Sequence, residues 1–163
     1  PGLFGPCGYG LPSIVGAKIG QPLVPVVGFA GDGAFGIAVN ELTAIGRDEW
    51  PAVTQIVFRN YQWGAEKRNS TLWFDDNFVG TELDTKVSYA GIAQACGLLG
   101  VQVQTMDELT AVLNQAIKDQ MENNKTTVIE VILNQELGEP FRRDAMKKPV
   151  QVAGVTAADM AAE

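Results

Sequence analysis

The chain has 163 residues, 46% of them hydrophobic, and a formal net charge of −7. This is enough apolar material for one domain around one core, and the negative balance excludes a general attraction to nucleic acid or to anionic lipid. Histidine is absent, which removes a histidine triad, a histidine zinc site and a histidine general base from this chain. Cys7 and Cys96 follow no metal or disulfide spacing and read as reduced thiols of a cytoplasmic protein. No apolar run reaches membrane-spanning length, and the glycine-rich start has no basic segment of the kind that opens a signal peptide. The start at Pro1, without Met, leads us to expect a piece of a longer polypeptide.

In chain order, residues 11–19 read as a short helix whose small residues Ser13, Gly16 and Ala17 permit close packing. Residues 24–29 are a fully apolar strand. Residues 37–47 read as a helix with a partial apolar face of Ile37, Leu42 and Ile45. A second buried strand follows at 53–58. Residues 61–87 are polar, aromatic and irregular, and are expected to form a long functional loop. A helix over 89–96 carries Tyr89, Ile92, Ala93 and Cys96 on one face and ends at Gly97. Residues 101–103 form a short strand. Thr105 and Glu108 make a capping box, which opens a helix burying Leu109, Val112, Leu113, Ala116 and Ile117. A last strand covers 127–133. Strands alternating with helices predict an α/β fold, a mostly parallel sheet flanked by helices. Residues 1–134 are taken as the domain and 135–163 as a C-terminal tail without clear period.

The first strand runs into GFAGDGAFG (28–36). Gly31 to Gly36 fits the G-x-G-x-x-G dinucleotide pattern between a strand and a helix, and a plain Asp-Gly turn is the simplest alternative. The acid usual at the end of the next strand is replaced by Arg59-Asn60; an arginine there suits a 2′-phosphate. Against a bare pyrophosphate, however, Asp32 is repulsive unless a cation lies between them. Mg²⁺ resolves that conflict, because it takes oxygen ligands from one or two protein groups and from phosphates together. Asp32 at the end of one strand, Asn60 at the end of the next and the backbone carbonyl of Gln62 form a candidate ligand set. Gly31 and Gly33 would bring N–H groups to the phosphates, helped by the following helix N-terminus.

A GDG followed, one helix and one strand later, by Asn60 resembles the thiamine-diphosphate-binding motif, with Arg59 standing where the family often has asparagine. GPCGYGLPSIVGAK, upstream, resembles the glycine-rich segment of acetolactate-synthase-like enzymes. The resemblance covers most of the chain and corresponds to the C-terminal, diphosphate-binding (PP) domain. It implies thiamine diphosphate and Mg²⁺ as cofactors, with Asp32, Asn60 and Gln62 on the metal. Gly31, Asp32, Gly33, Ala34, Asn60, Gln62, Trp63, Gly64 and Ala65 would lie around the diphosphate. Ile37 and Cys7 are candidates for packing near the cofactor's rings, with core packing as the alternative.

NYQWGAEKRN and QELGEPFRRDAMKKPV are similar to segments of sulfoacetaldehyde acetyltransferases, whose members turn sulfoacetaldehyde and phosphate into acetyl phosphate and sulfite. Acetolactate synthase and 2-keto acid decarboxylases are the alternatives within the superfamily, and a non-catalytic nucleotide- or phosphate-binding module is the alternative outside it. Arg142 and Arg143 are candidates for gripping the sulfonate or the phosphate. The resemblance also implies that the activating glutamate sits in a pyrimidine-binding domain, in the same or a partner chain of a homo-oligomer. The 163 residues alone are then expected to be nearly inactive, and to expose apolar surface through Trp63, Trp73 and Phe74.

Overall fold

The computed structural model describes residues 5–136. Helix α1 (Gly10–Gly20) leads to strand β1 (Val27–Gly31), then to helices α2 (Asp32–Ile37) and α3 (Leu42–Ile45) with a 3-10 turn between them. Strand β2 (Thr54–Arg59), helix α4 (Gly64–Trp73), helix α5 (Tyr89–Ala95), strand β3 (Leu99–Val103), helix α6 (Met106–Glu122) and strand β4 (Thr127–Ile132) complete it. The four strands pair in the order β1-β2-β4-β3, and every pairing is parallel. The expected α/β architecture is therefore present.

Alternation along each strand sends neighbouring side chains to opposite faces. Val57 and Val128 join Leu11, Val15, Phe35, Leu42, Tyr89 and Ala93 in one core, under α1, α2, α3 and α5. Their neighbours Ile56 and Ile129 join Val103 and Ala116 in the other, against α6. Helices lie on both faces of the sheet, which is why β2 and β4 read as largely apolar runs, although Phe29 and Phe58 stay exposed on the α6 side.

Three expectations need correction. The first strand starts at Val27, not at residue 24. Pro25 has no N–H to pair, and the Gln120 amide fastens this approach instead: Val26 N–H donates to Gln120 Oε1 at 2.7 Å, while Gln120 Nε2 donates to Val26 O at 2.9 Å. The helix expected over 37–47 is broken. Helical structure begins at Asp32, directly after β1, and stops at Ala38, whose φ of −106° and ψ of 12° leave the helical region. Third, the polar loop contains α4, a ten-residue helix. Its sequence, GAEKRNSTLW, has no apolar stripe, so periodicity could not reveal it.

The remaining elements follow their signals. Ser88 caps α5, its Oγ accepting from Gly91 N–H at 3.0 Å. The capping box of α6 is closed in both directions between Thr105 and Glu108. Gly97 takes φ +81° just after α5, a position that suits glycine. Among the described residues no helix is long and apolar enough to cross a membrane, and Cys7 and Cys96 are free.

Candidate metal and diphosphate site

In a parallel sheet the strand ends that carry function lie along one edge. β1 and β2 are neighbours, with Gly31 opposite Phe58. The residues leaving these strands, Asp32 and Asn60, therefore emerge side by side. Tyr61 then takes φ +61°, a left-handed conformation that is costly for a tyrosine. That turn brings the Asn60 side chain back over the Gln62 backbone. The Asn60 amide lies 3.2 Å from Asp32 Oδ1 and 3.0 Å from the Gln62 carbonyl oxygen. With its NH₂ inward, the amide donates to both oxygens. With its oxygen inward, three oxygens converge, an arrangement that a bound cation would stabilise. The structure thus brings the three candidate ligands into one cluster.

Asp32 is buried and divided in its partners. Oδ2 accepts from Tyr61 N–H at 2.7 Å and faces Arg59 Nη1 at 3.4 Å. Oδ1 accepts from Gly33 N–H at 2.9 Å and points toward the Asn60 amide. The Asp32 carbonyl accepts from the Tyr89 hydroxyl at 3.0 Å. Burial pushes the Tyr89 phenol above its ordinary value, which keeps it a donor. Its ring meets Phe35 edge-on at 5.2 Å.

Among the described residues no group of three His, Cys, Asp or Glu forms a metal cluster. The set found instead is one carboxylate, one amide and one carbonyl, all oxygen donors, which suits Mg²⁺ rather than zinc. A Cβ added to Gly31, the residue before Asp32, would meet nothing within 4 Å, so the backbone at this strand end is open to a ligand. The residues present fit the pair of cofactors.

Gly33 and the helix that contains it differ from expectation. Gly33 N–H is engaged by Asp32, and a Cβ there would lie 2.8–2.9 Å from the Trp63 ring. Gly33 is thus needed where Trp63 packs down on α2, and its N–H is not free for a phosphate. The helix behind it, α2, has only six residues, so the dipole offered to an anion is weaker than that of a full helix. Gly33→Ala is expected to displace Trp63 and to destabilise the domain by about 1–3 kcal/mol, the usual cost of overpacking. Urea unfolding and tryptophan emission check this; an unchanged midpoint with unchanged emission would contradict the contact.

The other candidates fall around the same loop. Gly64 and Ala65 start α4 directly after Trp63, so this stretch is both a helix start and a neighbour of the cluster. Gln62 is buried, and its Oε1 accepts from Lys67 Nζ at 3.1 Å. Lys67 also pairs with Glu82, holds that carboxyl below its ordinary value by hydrogen bonding, and lies over the Phe78 ring at 5.1 Å. A Cβ on Gly8 would touch Ile37 at 2.7 Å, which puts the segment of Cys7 next to exposed Ile37. Trp73 and Phe74 are exposed as expected, whereas Trp63 is half-buried on Gly33. Phe29 and Phe58, also exposed, stack with ring centroids 6.2 Å apart. Arg142 and Arg143 lie outside the described residues.

Sequence reasoning missed Glu130 and the buried role of Arg59. Arg59, 1% exposed, runs beneath Asp32 and also pairs through Nε with Glu130 Oε1 at 3.3 Å. Glu130 is 0% exposed and accepts from Ser88 Oγ, Ala90 N–H and Gln102 Nε2 at 3.0–3.1 Å. The available signal was a charge inside each of two apolar strands, TQIVFR and TVIEVI, with opposite signs. Buried as it is, Arg59 cannot reach a 2′-phosphate, and the dinucleotide alternative loses its cation.

The family model described as the thiamine pyrophosphate enzyme C-terminal TPP binding domain matches residues 1–131. The chain belongs to the thiamine-pyrophosphate-dependent enzymes and carries their C-terminal cofactor-binding domain. A protein of Roseovarius nubinhibens named sulfoacetaldehyde acetyltransferase is 80% identical over 160 residues, which is 98% of this chain and 26% of that protein. Isozyme 2 large subunit of acetolactate synthase from Escherichia coli is 30% identical over 111 residues, covering 68% of this chain and 20% of its own. The crystal structure of benzoylformate decarboxylase from Polynucleobacter necessarius superposes with a TM-score of 0.72 at 27% identity, covering 85% of this chain and 25% of that one. The chain thus spans 26% or less of the length of these three proteins.

Proposed function

We propose that this domain binds the diphosphate of thiamine diphosphate through Mg²⁺, held by Asp32 Oδ1, the Asn60 amide oxygen and the Gln62 carbonyl. The observation that carries this reading is the convergence of those three groups at the ends of two adjacent parallel strands. Asp32 gives the cation a charged ligand, and the cation relieves the repulsion between that charge and the phosphates. Tyr61 N–H and Arg59 keep Oδ2 turned away. Trp63, seated on Gly33, together with Gly64 and Ala65 walls the crevice next to Ala34. Once bound, thiamine diphosphate supplies a nucleophilic carbon and an electron sink; the protein's part is to hold and orient it.

The enzyme to which the domain contributes is proposed to convert sulfoacetaldehyde and phosphate into acetyl phosphate and sulfite. Support comes from the 80% identity to a protein of that name, against 30% for an acetolactate synthase subunit. A pyrimidine-binding domain, from the same or a partner chain of a homo-oligomer, would complete the site and supply the activating glutamate. Exposed Trp73 and Phe74 are available for such a contact. Arg142 and Arg143 are proposed to contact one of the two anionic substrates.

Calorimetric titration of the chain with thiamine diphosphate, and separately with NADP, with and without Mg²⁺, tests the cofactor. Heat of binding is expected for thiamine diphosphate only, and only with Mg²⁺. Binding of NADP, or of thiamine diphosphate without metal, would count against the assignment. For the substrate, a full-length protein containing this chain should release sulfite from sulfoacetaldehyde in a phosphate-dependent manner. Formation of acetolactate from pyruvate with no sulfite release would favour the synthase.

A further inference from the structure

We propose that Arg59 is the positioning residue of the cation site: its guanidinium fixes the Asp32 carboxylate so that Oδ1, not Oδ2, faces the Asn60 amide and the Gln62 carbonyl. This rests on the reading of those three groups as cation ligands.

The guanidinium is itself held at both Nη atoms and enclosed by rings and charge, although Nε makes no hydrogen bond. Its Nη2 donates to the carbonyls of Asp84 at 2.7 Å and Val87 at 2.9 Å. Its Nε end pairs with Glu130, a carboxylate anchored by three further donors. The rings of Tyr61 and Tyr89 lie 4.4 and 4.9 Å from its central carbon. A side chain so confined has one orientation, and in it Nη1 is directed at Asp32 Oδ2. Together with Tyr61 N–H, it gives Oδ2 two donors and leaves Oδ1 facing Gly33 N–H and the Asn60 amide. Oδ1 is therefore the oxygen turned toward the other two groups, and a cation there would need only the Asn60 amide to turn its own oxygen inward. Partners behind a metal ligand commonly fix its orientation in this way. The same guanidinium holds the 84–87 segment by its carbonyls, so that loop and the cation ligand share one anchor.

A cation placed this close to a metal would, by charge alone, weaken metal binding. Positioning predicts the opposite sign on its removal, and the two effects can be separated. The probe is Mn²⁺ with thiamine diphosphate, followed by water-proton relaxation in the 163-residue chain, with the folded fraction measured by near-UV circular dichroism. Arg59→Met and Arg59→Lys are each expected to weaken Mn²⁺ binding by about ten- to a hundredfold per folded molecule, the usual range for loss of a partner behind a ligand. Tighter binding in Arg59→Met, or wild-type binding in Arg59→Lys, would show that only the charge acts and would overturn the proposal. Wild-type binding by the folded fraction of both variants would reduce Arg59 to a structural role and overturn it equally.

A further measurement needs no variant. The Tyr61 amide should be protected from hydrogen exchange in the metal-free wild type, because Oδ2 is already held. Exchange at the rate of an open loop would refute the proposal even if the variants fail to fold. Absence of Mn²⁺ binding by the wild type would remove the cation site and its positioning residue together. Wild-type binding with unchanged variants would remove only the role of Arg59.

Discussion

Asp32→Ala is expected to abolish Mg²⁺-dependent binding of thiamine diphosphate, weakening it by at least about a hundredfold. Losing one charged contact of about 3 kcal/mol already gives that factor, and in the proposed ligand set Asp32 is the one carboxylate. The substitution also strips the acceptor from Tyr61 N–H and Gly33 N–H, at about 1–3 kcal/mol for each donor left unsatisfied. Stability must therefore be followed in parallel. Asp32→Asn, which keeps the volume and most hydrogen bonding, should still lose the metal dependence. Calorimetry on folded protein decides the matter, and undiminished binding by either variant would contradict the assignment.

The largest loss of stability is expected from Gly100→Ala. A Cβ at this position of β3 would lie 2.0 Å from the Ala90 carbonyl oxygen and 2.7 Å from its carbon. Both are backbone atoms of α5 and cannot rotate away. The helix must be pushed off the strand, at a cost of about 3 kcal/mol or more. The damage should reach the site. Ala90 N–H donates to Glu130, Glu130 pairs with Arg59, and Arg59 faces Asp32. Urea denaturation should show a clear fall in midpoint, together with weaker cofactor binding in the folded fraction. A midpoint equal to that of the wild type would show that α5 and β3 are not this close.

The contrast between Asp32 and Arg59 shows which parts of the site were legible in the sequence. Asp32 among glycines created a conflict of charge with phosphate that pointed to a cation, and the helix-and-strand spacing to Asn60 placed the partner on an adjacent parallel strand. Neither inference needed side-chain detail. Arg59 looked like a departure from a motif, because nothing local says that a strand-end arginine turns inward. Its burial depends on Glu130, far along the chain, and on the two tyrosine rings that close over it. Long-range pairing of this kind leaves only the weak trace of a charge in an apolar strand.

The fold was legible where periodicity or capping was strong, as in the capping box of α6 and the apolar runs of β2 and β4. It was not legible over residues 32–45, where the helix expected over 37–47 is replaced by short pieces that begin earlier, at Asp32. Helix α4 was hidden for the opposite reason: a polar helix buries little and has no stripe to read. The glycines of GDGAFG, in turn, serve packing as much as ligand access, since Gly33 makes room for Trp63.

The central claim is that Asp32, Asn60 and Gln62 hold one divalent cation that joins the domain to the diphosphate. A crystal of the chain, or of a full-length protein containing it, grown with thiamine diphosphate and Mn²⁺ and measured at the manganese absorption edge, tests this most directly. One anomalous peak is expected about 2.0–2.4 Å from Asp32 Oδ1, the Asn60 amide oxygen and the Gln62 carbonyl oxygen, with diphosphate oxygens completing the octahedron. A diphosphate bound with its metal away from these three groups, or bound at the strand ends with no metal peak, would contradict the account.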